Sequence, residues 1–81
     1  MQIHELKTIQ PYFEDVWCDR KTFEIRKNDR DFQINDLLVL KEYNGMMLRN
    51  IVAKIIYILD DINYVKEGFV ILGIKILEKL L

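Results

Sequence analysis

Cysteine is almost absent from this sequence, which argues against small domains that are held together by disulfides or by a structural zinc ion. The 81-residue chain has a single Cys, Cys18, so it can form no internal disulfide. A reduced, intracellular setting is therefore expected. One Cys and one His are also too few for a typical structural zinc site. We expect neither a bound metal nor another cofactor.

Long apolar runs and a large net charge are also missing. No apolar stretch approaches the roughly 18 residues that cross a bilayer. The N-terminal sequence MQIHELK lacks the basic start and the apolar run of a signal peptide. The net charge of −1 gives no global attraction for a polyanion. We expect a soluble, cytoplasmic protein with no membrane partner, in which any RNA binding depends on local segregation of charge.

Proline and glycine are scarce, and the few that occur help to place the secondary structure. Pro11 predicts the start of a short helix at about residues 10–19. The Asn44-Gly45 pair predicts a hairpin turn, and Gly73 predicts a bulge or a close backbone approach within a strand. Apolar patterns of strand length predict five strands, at about residues 2–6, 22–27, 37–43, 49–59 and 68–76. Residues 51–59 are rich in Ile and Val with only Lys54 charged, which indicates partly two-sided burial.

This many strands in one short chain would expose unpaired edges unless the sheet curls and closes. At 81 residues, 51% of them hydrophobic, the chain is expected to be a single domain over residues 1–81. The sequence therefore predicts a mainly β (α+β) fold, a small five- to six-stranded β-barrel with one short helix after the first strand. Residues 76–81 fit either the end of a strand or a helical turn.

Residues 19–31, DRKTFEIRKNDRD, are the most informative segment of the chain. They hold five of its twelve basic residues, namely Arg20, Lys21, Arg26, Lys27 and Arg30. Phe23 and Ile25 alternate with polar neighbours, which is the period-2 pattern of a half-buried strand. This pattern sends the two apolar side chains to the core. It places Glu24 and Arg26 side by side on the opposite, exposed face.

Three charged residues at this strand form the candidate functional site. Arg26 offers a planar fork of donors to a phosphate or a base edge, and Lys21 offers a mobile ammonium. Glu24 would orient them or accept an exocyclic amine. Lys27 and Arg30 extend the positive surface, and phosphate contacts give an affinity that falls with salt. The alternative is a surface cluster of ion pairs without a binding role, each worth about 0–1 kcal/mol.

Aromatic residues of the predicted helix have two interpretations. Tyr12, Phe13 and Trp17 at helical spacing either stack on a base or pack in the core. The core interpretation is stronger for Phe13 and Trp17 than for Tyr12. His4 similarly fits either a buried strand position or the cleft.

The same charged residues resemble the motif of ASCH domains, which are small barrels of the PUA-like superfamily. That motif, G-x-K-x-x-E-x-R, lies where the first helix passes into the next strand. Here it reads DRKTFEIR, in which Lys21, Glu24 and Arg26 match and Asp19 occupies the Gly position. Asp tolerates left-handed backbone, so the turn is expected to survive. The segments HELK, KTFEIRKNDRDFQ, DLLVL and GFVILGI resemble an uncharacterised branch found in bacteria and phages, over essentially the whole chain.

The resemblance implies a PUA-like barrel with a cleft beside the helix, lined by the polar residues of the motif. Since PUA-like domains generally bind RNA or modified bases, it implies an RNA- or nucleotide-binding domain. Some small bacterial relatives instead hydrolyse an acetyl amide on a modified cytidine. In them a Lys, to which Lys21 aligns, works with a Thr on the following strand and a distant Glu. Glu24 occupies that Thr position here.

Three functions follow as hypotheses. The first is binding of RNA or a modified nucleotide through the motif and its basic neighbours Lys21, Glu24, Arg26, Lys27 and Arg30. The second is a small amidohydrolase that acts on an acylated modified nucleoside, with Lys21 and Glu24 as catalytic residues. The third is a structural or partner-binding module, such as a homodimer, with Met46 and Met47 near its contact surface.

Overall fold

Five strands form one sheet in the computed structural model, which describes residues 1–43 and 48–81. The prediction of a mainly β domain with a short helix after the first strand is confirmed. The predicted turn at Asn44-Gly45, together with Met46 and Met47, lies outside the described residues. The elements are β1 (Ile3–Ile9), α1 (Tyr12–Trp17), β2 (Phe23–Lys27), β3 (Leu37–Tyr43), β4 (Asn50–Leu59) and β5 (Phe69–Leu80).

The strand order is β1-β3-β4-β5-β2, so β1 and β2 are the two edges of the sheet. β1 is parallel to β3, whereas the other pairs are antiparallel. The sheet curls into a half-barrel, and within the described residues no ladder joins β1 to β2. The prediction of a closed barrel is therefore wrong, because the gap between the edges is spanned by side chains. No helix in the ranges described is long and apolar enough to cross a membrane.

The core lies between the inner face of the sheet and one side of α1. Period-2 alternation along β3, β4 and β5 turns aliphatic side chains inward, including Leu38, Ile51 and Leu72, which are fully buried. Phe13 and Val16 of α1 pack onto them without exposure. Burial of each such side chain contributes about 1.5–3 kcal/mol.

The last strand resolves two expectations for the C-terminal part of the chain. β5 continues to Leu80, so residues 76–81 are largely the end of a strand rather than a helical turn. A Cβ atom on Gly73 would lie 3.0 Å from the Cβ of Tyr57 on the neighbouring strand. The predicted close backbone approach at Gly73 is therefore confirmed, next to a register shift in β4.

The alternation predicted for β2 is confirmed, but its two faces are the reverse of those expected. Phe23 and Ile25 are 40% and 54% exposed, whereas Glu24 is only 2% exposed. β2 is an edge strand, and its inward-facing Glu24 meets the cations of Lys21 and Arg26 rather than the aliphatic core. Alternation identifies which residues share a face, and it does not by itself identify the inner face.

α1 ends in a Schellman motif that leads the chain into β2. The N–H of Arg20 donates to the carbonyl of Asp15 at 2.8 Å, and that of Asp19 donates to the carbonyl of Val16 at 3.0 Å. Asp19 has φ of 63°, which is the left-handed backbone expected at this position. The short turn places Lys21 beside the start of β2.

Substitution of Asp19 tests this backbone requirement. We expect Asp19→Gly to be more stable to urea than Asp19→Ala by about 1 kcal/mol, because glycine adopts left-handed backbone without a Cβ clash. Both variants lose the exposed ion pair between Asp19 and Lys79. The difference between their free energies of unfolding therefore measures the cost of left-handed backbone at residue 19. Equal unfolding free energies in the two variants would contradict the left-handed assignment.

Candidate functional site

A cleft of about 680 Å³ opens in the gap between the two edge strands. It is lined by residues 7–9 of β1, by Tyr12 and Asp15 of α1, and by residues 20–21 and 23–26. The volume falls within the roughly 300–1,000 Å³ of sites that hold small ligands. The incomplete closure of the sheet thus creates the space for a ligand.

Glu24 is the centre of the polar side of the cleft. Its side chain is 3% exposed, and its Oε2 accepts a hydrogen bond from Lys21 Nζ. Its Oε1 accepts from Arg26 Nε at 3.0 Å and from Arg26 Nη2 at 2.7 Å. The structure therefore brings Lys21, Glu24 and Arg26 together, with one buried carboxylate between two cations.

Arg26 also ties the two edges of the sheet together. Its Nη1 donates to the main-chain carbonyl of Lys7 at 3.0 Å, and its Nη2 donates to Thr8 Oγ1 at 2.9 Å. Arg30 repeats this contact further along β1, donating to the carbonyl of Glu5 at 2.9 Å. Guanidinium groups thus bind edge carbonyls that a neighbouring strand would otherwise bind.

These contacts change the role expected for Arg26. Its Nε–H, one Nη1–H and both Nη2–H groups bind within the protein, which leaves one Nη1–H for a ligand. The predicted planar fork toward a phosphate is therefore not available. Arg26 is placed to position the site and to bridge the edges.

Lys27 and Arg30 lie away from the other predicted contacts. Both line a separate cavity of about 150 Å³ that shares only Arg26 with the cleft. Asp29 lies in the same small cavity and offsets part of its positive charge. The structure therefore does not place Lys27 and Arg30 in the cleft that holds Lys21.

Two exposed aromatic rings flank Lys21. Its Nζ lies 5.8 Å from the centroid of the Tyr12 ring and 5.1 Å from that of Phe23. Tyr12 is 50% exposed, consistent with the expectation that it is the least buried aromatic of α1. Phe23 escaped the sequence analysis because its alternation was assigned to the core. The cleft thus combines two aromatic rings with an ammonium close to both.

The lining of the cleft carries more positive than negative charge. Lys7, Arg20, Lys21 and Arg26 contribute cations, and Asp15 and Glu24 contribute carboxylates. Arg20 is paired with Asp15 at 3.0 Å, and hydrogen bonding to Asp15 raises the pKa of the Arg20 guanidinium. Charge is therefore segregated locally even though the whole chain has a net charge of −1.

Thr8 is the one aliphatic hydroxyl side chain among the residues that line the cleft. It is 3% exposed, and its Oγ1 accepts from Arg26 while its own proton points toward the Leu6 carbonyl at 3.5 Å. A threonine nucleophile needs a general base that accepts its proton. In the part of the chain that the structure describes, no carboxylate, amine or imidazole takes that place.

His4 lies outside the cleft, in a buried cluster of its own. Its Nε2 is 2.9 Å from Asp36 Oδ2, and its ring lies 4.7 Å from that of Phe32. The main-chain N–H of Gln2, followed by His4, lowers the pKa of the Asp36 carboxyl. Across residues 1–43 and 48–81, no three Cys, His, Asp or Glu side chains come together as metal ligands.

A second buried polar network, centred on Arg49, was not anticipated from the sequence. Arg49 Nε donates to Glu42 Oε1 at 3.1 Å, and its Nη2 donates to Glu14 Oε1 at 2.6 Å. Its guanidinium also lies 5.2 Å from the Phe13 ring and 4.6 Å from the Trp17 ring. None of these residues lines the cleft. Because Arg49 joins Glu14 of α1 to Glu42 of β3, the network anchors α1 to the sheet.

Comparison with known families finds a match over most of the chain. A family model described as Domain of unknown function (DUF3850) matches residues 3–74. The match covers β1, α1, β2, β3, β4 and the first half of β5, and it contains every residue of the cleft. None of the curated proteins compared with this chain matches it.

Proposed function

We propose that this chain, which belongs to the family of that domain of unknown function (DUF3850), binds single-stranded RNA or one of its nucleotides in the cleft between β1 and β2. The observation that carries the proposal is the position of Lys21 close to the exposed rings of both Tyr12 and Phe23. Stacking platforms beside cationic groups are how proteins hold single-stranded nucleic acids.

Each part of a nucleotide has a matching surface in this cleft. A base stacks on Tyr12 or Phe23, for a gain of about 1–3 kcal/mol per base. Phosphate is attracted by the ammonium of Lys21, which keeps N–H groups free after its bond to Glu24. Lys7 at the opposite rim adds a second cation. Glu24 holds the cations in place rather than contacting the ligand.

The ASCH-type resemblance supports the same site. Lys21, Glu24 and Arg26 match the motif of that family, and they meet in a cleft beside the first helix, where the resemblance implies the ligand lies. We therefore propose that the half-barrel is a PUA-like domain of the ASCH type, with binding rather than hydrolysis as its activity. Among the described residues, the hydroxyl of Thr8 has no partner base of the kind that an acyl transfer requires.

Fluorescence anisotropy with a labelled single-stranded RNA tests the charge part of this proposal. We expect Lys21→Ala to weaken binding about fivefold near 0.1 M salt and to reduce the slope of log K against log salt by about 0.7, the value for one phosphate contact on a single strand. Lys66→Ala removes the same charge outside the cleft and should leave both quantities unchanged.

A matched pair of tyrosines tests the stacking part. Tyr12→Ala should weaken binding by about 1–3 kcal/mol, whereas Tyr64→Ala, which removes a ring that is 81% exposed and outside the cleft, should not. Absence of binding by the unaltered protein at about 10⁻⁴ M, the weak end of nonspecific affinity, would refute the proposal. Release of cytidine from acetylcytidine would favour the amidohydrolase instead.

A further inference from the structure

The main chain of β2 has an open edge that faces the cleft. Thr22 accepts from Ile74 N–H at 3.0 Å, and Asn28 N–H donates to Gly68 at 2.9 Å. In an antiparallel pair the hydrogen-bonded positions alternate, so the main-chain groups of Glu24 point toward β5. Those of Phe23 and Ile25 point the other way. Because β2 is an edge strand, they point into the gap that the cleft occupies.

The main-chain groups of the two facing edges differ in their hydrogen-bond partners. On β1, the carbonyls of Glu5 and Lys7 are bound by the guanidiniums of Arg30 and Arg26. On β2, no loop, turn or side-chain hydrogen bond within the described residues reaches the main chain of Ile25. The carbonyls of Glu5 and Lys7 on β1 are therefore bound by the protein itself, whereas Ile25 on β2 offers an adjacent donor and acceptor to the cleft.

We propose that the main-chain N–H and C=O of Ile25 bind the Watson–Crick edge of an unpaired base. The inference rests on the proposed function and specifies its ligand. Every RNA base carries a donor next to an acceptor on that edge, and in a duplex this edge is occupied by the partner base. The cleft therefore accepts single-stranded RNA or a mononucleotide, with weak preference among bases, and rejects duplex RNA.

An extended peptide fits the open edge less well than a base. A strand that pairs with β2 would need several consecutive residues along the edge. Arg26 crosses the gap to Lys7 and Thr8 and interrupts that path. The open stretch is thus limited to Phe23 and Ile25, which suits one planar base. Lys21 and Lys7 at the rim also favour an anionic ligand.

Ile25→Pro tests the main-chain contact because it removes one outward N–H and leaves the ladder with β5 intact. Proline is tolerated on edge strands where the N–H faces away from the sheet. We expect about five- to tenfold weaker binding of single-stranded RNA, the effect of one lost hydrogen bond. Ile25→Val, which keeps the N–H, should bind more tightly than Ile25→Pro. Circular dichroism establishes that both variants are folded.

Nucleotides with a methyl group on the Watson–Crick edge of the base test the same contact without any protein variant. The unaltered protein should bind uridine monophosphate at least fivefold more tightly than N3-methyluridine monophosphate, and duplex RNA should not displace a labelled single strand. Equal binding of the two nucleotides would overturn the main-chain contact while leaving the proposed function intact. No binding of any RNA would refute the proposed function itself. Displacement by an eight-residue peptide of alternating Thr and Val would assign the edge to a peptide.

Discussion

Arg49→Ala is expected to lower the free energy of unfolding by about 3–5 kcal/mol, the usual cost of removing one partner from a buried ion pair. The side chain of Arg49 is 10% exposed and that of Glu42 is 3% exposed. Without the guanidinium, the amide of Gln10 is the one side-chain donor left to Glu42 among residues 1–43 and 48–81. The substitution also removes the cation that lies against Phe13 and Trp17.

The stability lost in Arg49→Ala is expected to depend on pH in a definite direction. Hydrogen bonds from the side chain and main chain of Arg49 hold the pKa of the Glu42 carboxyl at about 2, below its ordinary value of 4.5. A lowered pKa in the folded state stabilises the protein above pH 4.5, and this contribution is lost as the pH falls toward 2. The difference in stability between the unaltered protein and Arg49→Ala should therefore narrow over that range.

Two further variants separate the buried pair from a general effect of losing arginine. Arg20→Ala removes a guanidinium whose side chain is 61% exposed and should cost no more than about 1 kcal/mol. Glu42→Gln combined with Arg49→Ala should recover part of the loss, because no unpaired buried carboxylate remains. Urea titrations measure all of these changes. The prediction fails if Arg49→Ala costs no more than Arg20→Ala.

Local sequence patterns predicted the strands and the helix because each of these elements forms from residues that are close together in the sequence. Alternation located β2, a run rich in Ile and Val located β4, and Pro11 with Asp19 marked the two ends of α1. The closure of the sheet was not predictable in the same way. Whether β1 and β2 pair depends on side chains far apart in sequence, and here Arg26 and Arg30 fill the gap instead.

The charged centre of the candidate site was predicted from the sequence, but its orientation was not. The spacing of Lys21, Glu24 and Arg26 correctly brought three charges together, but it could not reveal that their face is the inner one at this edge. One missed signal was available in β3. Glu42 alternates in phase with the buried Leu38 and Leu40, and a charge at an inward position predicts a buried partner.

Glu24→Ala is the second substitution with a large expected effect, a loss of about 3 kcal/mol or more of unfolding free energy. The carboxylate is almost fully buried, and the side chains of Lys21 and Arg26 that it neutralises are only 17% and 22% exposed. Its removal leaves two cations facing each other in a confined space. Burial also limits screening, so the loss should persist at high salt.

Glu5→Ala is the matched control for Glu24→Ala. Hydrogen exchange separates the local effect of Glu24→Ala from its effect on the stability of the whole domain. Glu5 lies on β1 in an exposed pair with Lys41 at 3.2 Å, so its loss should cost about 1 kcal/mol or less and diminish further with salt. Because Glu24 orients the guanidinium that binds the Lys7 carbonyl, Glu24→Ala should also accelerate exchange of amides at the facing ends of β1 and β2. If both variants lose equal stability, or if exchange at those ends is unchanged, Glu24 does not hold the edges of the half-barrel together.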